Sequence, residues 1–176
     1  VDSSVSAALL VEQGYDVVGV AMRLWEGESD SGCCSLDDFL DARLVAERLG
    51  IPFYVMDFRD EFRATVVRNF VDEYRRGRTP NPCVRCNEHI KFDTLLERGI
   101  ALGFDAVCTG HYARIAIRED GARELHRAAD SAKDQSYVLA VMGYERLSRA
   151  MFPLGDVASK SEVRAEAVAR GLGVSN

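Results

Sequence analysis

Apolar and polar residues alternate along this chain in patterns that predict helices and strands in turn. Over 60–76 an apolar residue recurs at every fourth position, which is the spacing of one helix face, and 36–49 is amphipathic in the same way. The runs over 16–25 and 53–58 are short, apolar and rich in β-branched or aromatic residues, so they predict buried strands.

The remaining segments continue this alternation of helices and strands. We expect helices over 2–14, 87–102, 137–151 and 161–170, a strand over 106–109, and a hairpin over 112–127 that turns at Glu119-Asp120-Gly121. Such a pattern predicts an α/β fold, a doubly wound parallel sheet with helices on both faces. Ligands in such sheets bind beyond the carboxyl ends of the strands, so the loops after the predicted strands are the candidate site.

The composition is that of one soluble globular domain with a full core, since 47% of the 176 residues are hydrophobic and 28% are charged. No run approaches the roughly 20 apolar residues that span a bilayer, and no secretory signal is visible. An odd number of cysteines without such a signal favours reduced thiols in the cytoplasm. The five cysteines are Cys33, Cys34, Cys83, Cys86 and Cys108.

The net charge of −6 disfavours a nucleic-acid partner, but the charge is unevenly distributed. The window from Arg75 to Lys91 holds five cations against one anion, a net charge of +4. This window predicts a basic patch that could hold phosphates. The alternative is that its arginines only cap the end of a helix, where cations are favoured.

The segment Gly77–Asn87 contains two prolines and then a Cys-x-x-Cys pair, Cys83 and Cys86. Proline restricts the residue before it, so Thr79 and Asn81 should be extended. We expect a stiff loop that presents the pair at a helix entry, where the helix dipole and a neighbouring arginine favour the thiolate.

Three interpretations of this pair stay open at this point. It could supply a nucleophile or redox thiol, it could form half of a zinc or iron–sulfur site, or it could pack under a loop as two small apolar residues. A metal site would need a further ligand, such as one of Cys33 and Cys34 in the polar loop after the first strand. Cys108, in a short buried strand, is expected to belong to the core.

Three short polar motifs are weaker candidates for chemistry. Val1-Asp2-Ser3-Ser4 begins a helix, where free N–H groups can bind an anion, although most such starts are simple caps. Thr109-Gly110-His111-Tyr112 ends a strand, and its glycine could let the backbone approach a ligand closely. The polar run Lys133–Ser136 reads by itself as a helix cap.

Taken together and in order, these motifs resemble the tRNA-specific 2-thiouridylases, the MnmA/TrmU family of PP-loop ATP pyrophosphatases. The resemblance covers nearly the whole chain and rests on six segments: 1–4, 18–22, 77–92, 109–114, 133–137 and 152–155. The most specific of them are Gly-Arg-Thr-Pro-Asn-Pro followed by Cys86-Asn87, and Lys133-Asp134-Gln135-Ser136-Tyr137.

The resemblance implies a role for individual residues. ATP, with Mg²⁺, would be held by Val1, Asp2, Ser3, Ser4, Met22 and Gly110. The target base would contact Asn81, Pro82 and Cys83, and the tRNA would contact Lys133, Asp134 and Gln135. Cys86 would be a catalytic cysteine. Members of the family adenylate the wobble uridine of tRNA at the C2 oxygen, and a persulfide sulfur from a cysteine desulfurase or sulfur-relay protein then displaces AMP.

The resemblance also implies that residues 1–176 are a single PP-loop catalytic domain cut from a longer protein. The Ser-Gly-Gly half of the phosphate loop would precede Val1, and the persulfide-bearing cysteine and the later tRNA-binding domains would follow Asn176. Some members carry Asp where this chain has Cys83, which keeps a [4Fe-4S] cluster on Cys33, Cys83 and Cys86 open. The competing hypotheses are another PP-loop adenylating enzyme and a metal- or cluster-binding module.

Overall fold

The computed structural model describes residues 1–25 and 36–173, so the predictions for Cys33 and Cys34 lie outside the described residues. Its helices and π-helical segments are α1 Asp2–Glu12, α2 Leu36–Leu49, α3 Arg59–Phe62, π1 Arg63–Val67, α4 Arg68–Arg75, α5 Pro82–Cys86, π2 Asn87–Leu95, α6 Leu96–Ala101, α7 Ser136–Leu139, α8 Tyr144–Leu147 and α9 Lys160–Ala169. Its strands are β1 Gly19–Arg23, β2 Phe53–Asp57, β3 Val107–Cys108, β4 Ala113–Ile117, β5 Arg123–Arg127 and β6 Ala150–Met151.

The strands pair as an α/β fold requires, with parallel partners that are distant in sequence. β1 pairs in parallel with β2, and β3 pairs in parallel with β6. β4 and β5 form the predicted antiparallel hairpin, whose turn places Gly121 at a φ of 83°. Within the described residues the two parallel pairs are separate two-stranded sheets, so one continuous sheet is not seen there.

Helices cover both faces of the β1–β2 pair, as predicted. On one face a Cβ at Gly19 would lie 3.9 Å from the Cβ of Ala46 in α2. Met22 and Met56 are partners in register and lie on the opposite face, since successive side chains of a strand alternate. There they pack against a core cluster that includes Ile90 of π2.

The π2 segment joins the two parallel pairs. Its Ile90 packs with Met22 and Met56, whereas its Phe92 packs with Ala150 of β6 and Ala113 of β4. Both Ile90 and Phe92 are fully buried, so π2 is held firmly beneath the two pairs. The chain that follows the Cys-x-x-Cys pair is therefore fixed relative to both.

Helices α1 and α9 lie side by side with their N-termini at the same end. Lys160 at the start of α9 contacts Asp2 at the start of α1, and Arg170 just after α9 donates to both oxygens of Glu12 at 2.7 and 2.9 Å. Between these ion pairs the two helices share a buried core cluster that includes Val5. The pairing brings two helix N-termini together.

The predicted helix over 137–151 is wrong. The chain forms two short helices, α7 and α8, and then the strand β6. Gly143, with φ −67° and ψ 167°, is extended and separates the two helices. Ala150 and Met151 instead pair with β3, because tertiary pairing of a buried apolar dipeptide overrides local helix preference.

The other predicted elements are present with shifted bounds. The helix predicted over 60–76 runs from Arg59 to Arg75 with π1 inside it, and the helix predicted over 87–102 begins earlier, at Pro82. The N-cap of α1 is Val1, so Asp2 is already helical. Among the described residues, no helix combines the length and the hydrophobicity needed to cross a membrane.

Candidate active site

The start of α1 and the end of β3 are packed backbone to backbone. A Cβ at Gly110 would lie 2.7 Å from both the carbonyl carbon of Asp2 and the nitrogen of Ser3, closer than real Cβ contacts come. Glycine is therefore required for the loop after β3 to reach the helix N-terminus. The structure thus brings Gly110 together with Asp2 and Ser3, three of the residues predicted to bind nucleotide.

Asp2 is the centre of a polar cluster at this point. Lys160 Nζ donates to both of its carboxylate oxygens, and the Tyr112 hydroxyl donates to its Oδ1 at 3.0 Å. The same ammonium lies 5.7 Å from the centre of the Tyr112 ring. Burial and the neighbouring Asp2 carboxylate raise the pKa of the Tyr112 phenol above its usual range, so the hydroxyl stays a neutral donor.

His111, which follows Gly110, lies inside the fold. It is 9% exposed, and its ring lies 6.2–6.3 Å from those of Phe92 and Phe152. Burial, with a smaller contribution from the positive charge of Lys91, lowers its pKa to about 3. The imidazole is therefore neutral at pH 7, and its Nδ1 forms a 2.8 Å hydrogen bond with the Thr109 hydroxyl.

The run 133–135, predicted to contact tRNA, divides into two inward residues and one outward residue. Asp134 accepts from the Ala128 N–H at 2.8 Å and from the Ser136 hydroxyl at 2.8 Å. Gln135 accepts from the Tyr112 N–H at 3.0 Å, which ties this run to the loop after β3. Lys133 is exposed. Of the three, Lys133 is the side chain that faces solvent.

The Cys-x-x-Cys pair lies inside the start of the helix, whereas the sequence predicted a loop that ends in the pair and a helix after it. The helix begins at Pro82, and Asn81 is its extended N-cap, whose Oδ1 accepts from the Val84 N–H at 3.2 Å. Cys83 therefore lies in the first turn and is exposed, whereas Cys86 is in the second turn.

Cys86 shares a buried apolar cluster with one of the predicted nucleotide residues. It packs, together with Met22 of β1, against the cluster of Leu24, Phe58, Val66 and Ile90. The thiol helix therefore lies against the carboxyl-end half of β1, the edge at which ligands of parallel sheets bind. Cys108 behaves as the predicted core residue, since burial raises its pKa to about 12 and keeps the thiol protonated.

Asn87, next to Cys86, is a buried polar residue that the sequence had offered only as part of a motif. It is 2% exposed, and its Oδ1 has no hydrogen-bond partner among the described residues. A buried acceptor without a donor costs about 1–3 kcal/mol, so such groups are uncommon in native proteins. Asn87 also begins π2, and π-helical segments are frequent at functional sites.

The basic window from Arg75 to Lys91 is less positive than its own residues suggest, because acids just outside it neutralise part of it. Each of its four arginines lies within 4 Å of an acid: Arg75 of Asp72, Arg76 and Arg78 of Glu73, and Arg85 of Glu88. Arg75 ends α4 and Arg76 is its C-cap. The geometry favours the helix-cap interpretation of these two arginines.

The structure gives no support to a metal or cluster site in the part of the chain that it describes. Residues 1–25 and 36–173 contain no group of three or more His, Cys, Asp or Glu side chains arranged to hold a metal ion. Cys83 and Cys86 alone would supply two ligands, fewer than a zinc or iron–sulfur site takes.

Lys160 is the polar residue of the cluster that the sequence did not single out. One signal could have identified it: Ser159 and Glu162 have the Ser-x-x-Glu spacing of a capping box, and Ser159 does accept from the Glu162 N–H. That spacing places Lys160 at the first helical position. A cation there is opposed by the helix dipole, so a lysine at this position needs a special partner.

Known proteins of one family are similar to this chain over its whole length. The family model described as "tRNA methyl transferase HUP domain" matches residues 1–176. Proteins named tRNA-specific 2-thiouridylase MnmA are similar over nearly the whole chain: that of Beutenbergia cavernae is 64% identical over 180 residues, that of Paenarthrobacter aurescens 59% over 181, and that of Streptomyces coelicolor 58% over 181. These matches cover 99–100% of the chain but 47–48% of the relatives, so the chain spans about half their length.

Proposed function

Because the chain belongs to the tRNA methyl transferase HUP domain family, we propose that it is the ATP-using catalytic domain of a tRNA-uridine 2-sulfurtransferase. The protein that contains it would convert the wobble uridine of tRNA to 2-thiouridine. The observation that carries the proposal is that Cys86 and Met22 pack against the same buried cluster, which supports a thiol on the same side of the fold as the nucleotide. Relatives of 58–64% identity that bear the 2-thiouridylase name support it.

ATP binding would take place at the start of α1. The N–H groups of a first helical turn have no partners within the helix and attract phosphate, and Gly110 brings the loop after β3 against them. Asp2 offers carboxylate oxygens, the ligand type that Mg²⁺ prefers, and Mg²⁺ bound with ATP would neutralise phosphate charge. Met22 and Gly110 would line the nucleotide on either side.

The first chemical step would activate a poor electrophile. The uridine O2 attacks the α-phosphorus of ATP, the O2–P bond forms, and the bond to the β-phosphate oxygen breaks, so that pyrophosphate leaves with the electron pair while N3 loses its proton. The product carries AMP on O2, which is a good leaving group at C2. Because a wobble base is single-stranded, little unpairing is needed to bring it into a pocket.

The second step would deliver sulfur. The terminal sulfur of a cysteine persulfide attacks C2 and AMP departs, and the Cys86 thiolate then attacks the inner persulfide sulfur. This second attack forms a disulfide between the two cysteines and releases 2-thiouridine, so the sulfur that is transferred is reduced as the two cysteines are oxidised. A thiol reductant of the cytoplasm would regenerate the pair. The persulfide cysteine would lie outside this chain.

Contacts to tRNA would come from two places. Asn81, Pro82 and Cys83 at the start of α5 would meet the target base, and Lys133, Asp134 and Gln135 would meet the tRNA chain. Only Lys133 of that second group faces solvent directly, so we expect Asp134 and Gln135 to shape the loop that presents it. Further domains of the protein would hold the rest of the tRNA, and a cysteine desulfurase or sulfur-relay protein would supply the sulfur.

The experiment is a thiolation assay on the full-length protein. The protein is incubated with ATP, Mg²⁺, a cysteine desulfurase with cysteine, and tRNA from cells that lack the modification, and the nucleosides are then separated and weighed by mass spectrometry. We expect 2-thiouridine to accumulate and AMP and pyrophosphate to form. ATP consumption without 2-thiouridine would favour a different adenylating enzyme, and a metal-loaded protein that leaves ATP intact would favour a metal-binding module.

A further inference from the structure

We propose that Lys160 is a ligand of the ATP β- and γ-phosphates, held in reserve by Asp2 until the nucleotide binds. This proposal rests on the proposed function, since it assigns a further residue to the same ATP site. Lys160 lies in the stretch that follows Phe152-Pro153-Leu154-Gly155, outside every residue that the sequence had assigned to the nucleotide.

The backbone of Lys160 is fixed by hydrogen bonds, while its side chain is partly exposed. The Lys160 N–H donates to Asp130 Oδ2 at 3.1 Å, and Ser159 caps the same helix end. The side chain is 24% exposed, and its ammonium lies against the Asp2 carboxylate. Because α1 and α9 are clamped at their far ends by Arg170 and Glu12, the distance between their N-termini is set by the fold.

Electrostatics explains why a lysine at this position would be useful. The converging N-termini of α1 and α9 both carry partial positive charge, which opposes a cation at this position. Asp2 offsets that cost in the absence of a nucleotide. A triphosphate brings several negative charges to the same end of α1, and its oxygens compete with one carboxylate for the ammonium.

The exchange also has a consequence for Asp2 and for the leaving group. When Lys160 turns to the phosphates, the Asp2 carboxylate keeps its hydrogen bond from Tyr112 and regains an oxygen for other ligands. Charge builds on the departing pyrophosphate as the bond to the α-phosphate breaks. An ammonium on those phosphates stabilises that charge where it develops.

The test is a comparison of nucleotide affinities in the full-length protein. Calorimetric titrations with ATP, ADP and AMP are made on the wild type and on Lys160→Met. Because the variant loses a charged hydrogen bond to the outer phosphates, we expect ATP affinity to fall roughly 10- to 100-fold while AMP affinity stays unchanged. Lys160→Arg, which keeps the charge, should recover most of the ATP affinity.

The matched control is Arg164→Gln, which removes one positive charge from an exposed position one turn further along α9. We expect it to bind all three nucleotides as the wild type does. The role of Lys160 would be overturned if Lys160→Met bound ATP as tightly as the wild type. It would also be overturned if the ATP and AMP affinities fell together, because that result would indicate damage to the fold. A wild type that fails to bind ATP would instead overturn the proposed function and this inference with it.

Discussion

At the phosphate end of the site, Asp2 contacts side chains that are more than 100 residues away along the chain, whereas the hydrogen bonds and ion pairs at the thiol end join residues of one continuous segment. Asp2 contacts Tyr112 and Lys160, which are 110 and 158 residues away along the chain. At the thiol end, Asn81 caps the helix by bonding Val84, three residues on, and Arg85 pairs with Glu88.

This difference predicts that substitutions at the two ends affect different properties of the protein. A contiguous helix start is specified by local residues, so a substitution there should alter chemistry more than assembly. The phosphate end depends on the packing of several elements, and a change in one of them shifts the others. Single changes at the two ends should therefore separate chemistry from assembly.

The largest effect is expected from Cys86→Ser. The alcohol cannot take part in the exchange with a persulfide, so 2-thiouridine formation in the full-length protein should fall by at least about a thousandfold. ATP affinity should stay unchanged, because the phosphate end does not use this thiol. Nucleoside mass analysis and ATP titration provide the two measurements.

Cys108→Ala is the control for loss of a thiol. Cys108 is a buried, protonated thiol of β3, so its replacement should lower stability but leave the rate of thiolation per folded molecule near that of the wild type. Full activity in Cys86→Ser would remove this residue from the chemistry and would undo the distinction between the two ends.

Gly110→Ala should impair the phosphate end only by disturbing the packing of the loop after β3 against α1. The new methyl group would meet the backbone of Asp2 and Ser3 at 2.7 Å, and relief of that overlap should cost about 1–3 kcal/mol of unfolding free energy. ATP binding should weaken as the loop moves away from α1. Urea unfolding and ATP titration measure the two effects.

Gly143→Ala is the matched substitution at a permissive glycine. A Cβ at Gly143 meets nothing within 4 Å among the described residues, and its φ of −67° suits any residue. We expect a change in stability within about 0.5 kcal/mol and unaltered ATP affinity. If Gly110→Ala and Gly143→Ala had the same stability and the same ATP affinity, the close approach of Gly110 to α1 would contribute nothing to either quantity.

The buried His111 should make stability depend on pH. Its pKa in the folded protein is about 3, below the ordinary 6.5, so between these values the unfolded chain binds more protons than the folded one. Stability is therefore complete above about pH 6.5 and declines as the pH falls towards 3, by up to about 1.4 kcal/mol per pH unit from this residue.

Urea unfolding between pH 4 and 7 measures that dependence. The His111→Gln variant should show a flatter profile than the wild type over this range, although carboxylates contribute to both. His126→Gln, at an exposed strand position paired with Glu124, should keep the slope of the wild type. If the two histidine variants gave the same profile, the buried ring would not be the origin of the pH dependence.

The smallest effect concerns charge at the two ends. Lys133 is exposed and forms no ion pair with the described residues, so Lys133→Gln should weaken tRNA binding a few-fold and reduce the slope of log affinity against log salt by roughly 0.7–0.9. Arg76, paired with Glu73 at 3.6 Å, has its charge compensated already. Arg76→Gln should change neither the tRNA affinity nor its salt dependence. If Arg76→Gln reduced the slope as much as Lys133→Gln, the arginines near the thiol end would be a tRNA-binding basic patch after all.

Much of the site could be found from the sequence because its signals are local. Pro82 predicted the extended residue at Asn81, which is confirmed, and a helix was predicted from Asn87, although the helix begins at Pro82 and already contains both cysteines. The hairpin turn at Asp120-Gly121 was predicted because glycine accepts the positive φ that the turn needs. The apolar spacing over 36–49 predicted a helix, and α2 confirms it with the same first and last residues.

The misses depend on partners that lie outside the segment from which each prediction was made. The strand β6 was mistaken for the end of a helix, because its pairing with β3 cannot be read from two apolar residues. The charge of the basic window was overestimated, because Asp72 and Glu73 fold back onto its arginines. Lys160 was overlooked because its partner is 158 residues away.

The sequence by itself determined the α/β class, the order of most elements and the residue types at the thiol end, because hydrophobic period, proline, glycine and caps act over a few residues. Only the tertiary structure decided that Gly110 touches Asp2, that α1 and α9 begin side by side, and that Lys160 neutralises the aspartate at that point. These contacts result from burying helix faces against strands, and a buried face selects its partner by shape over the whole fold rather than by its own sequence.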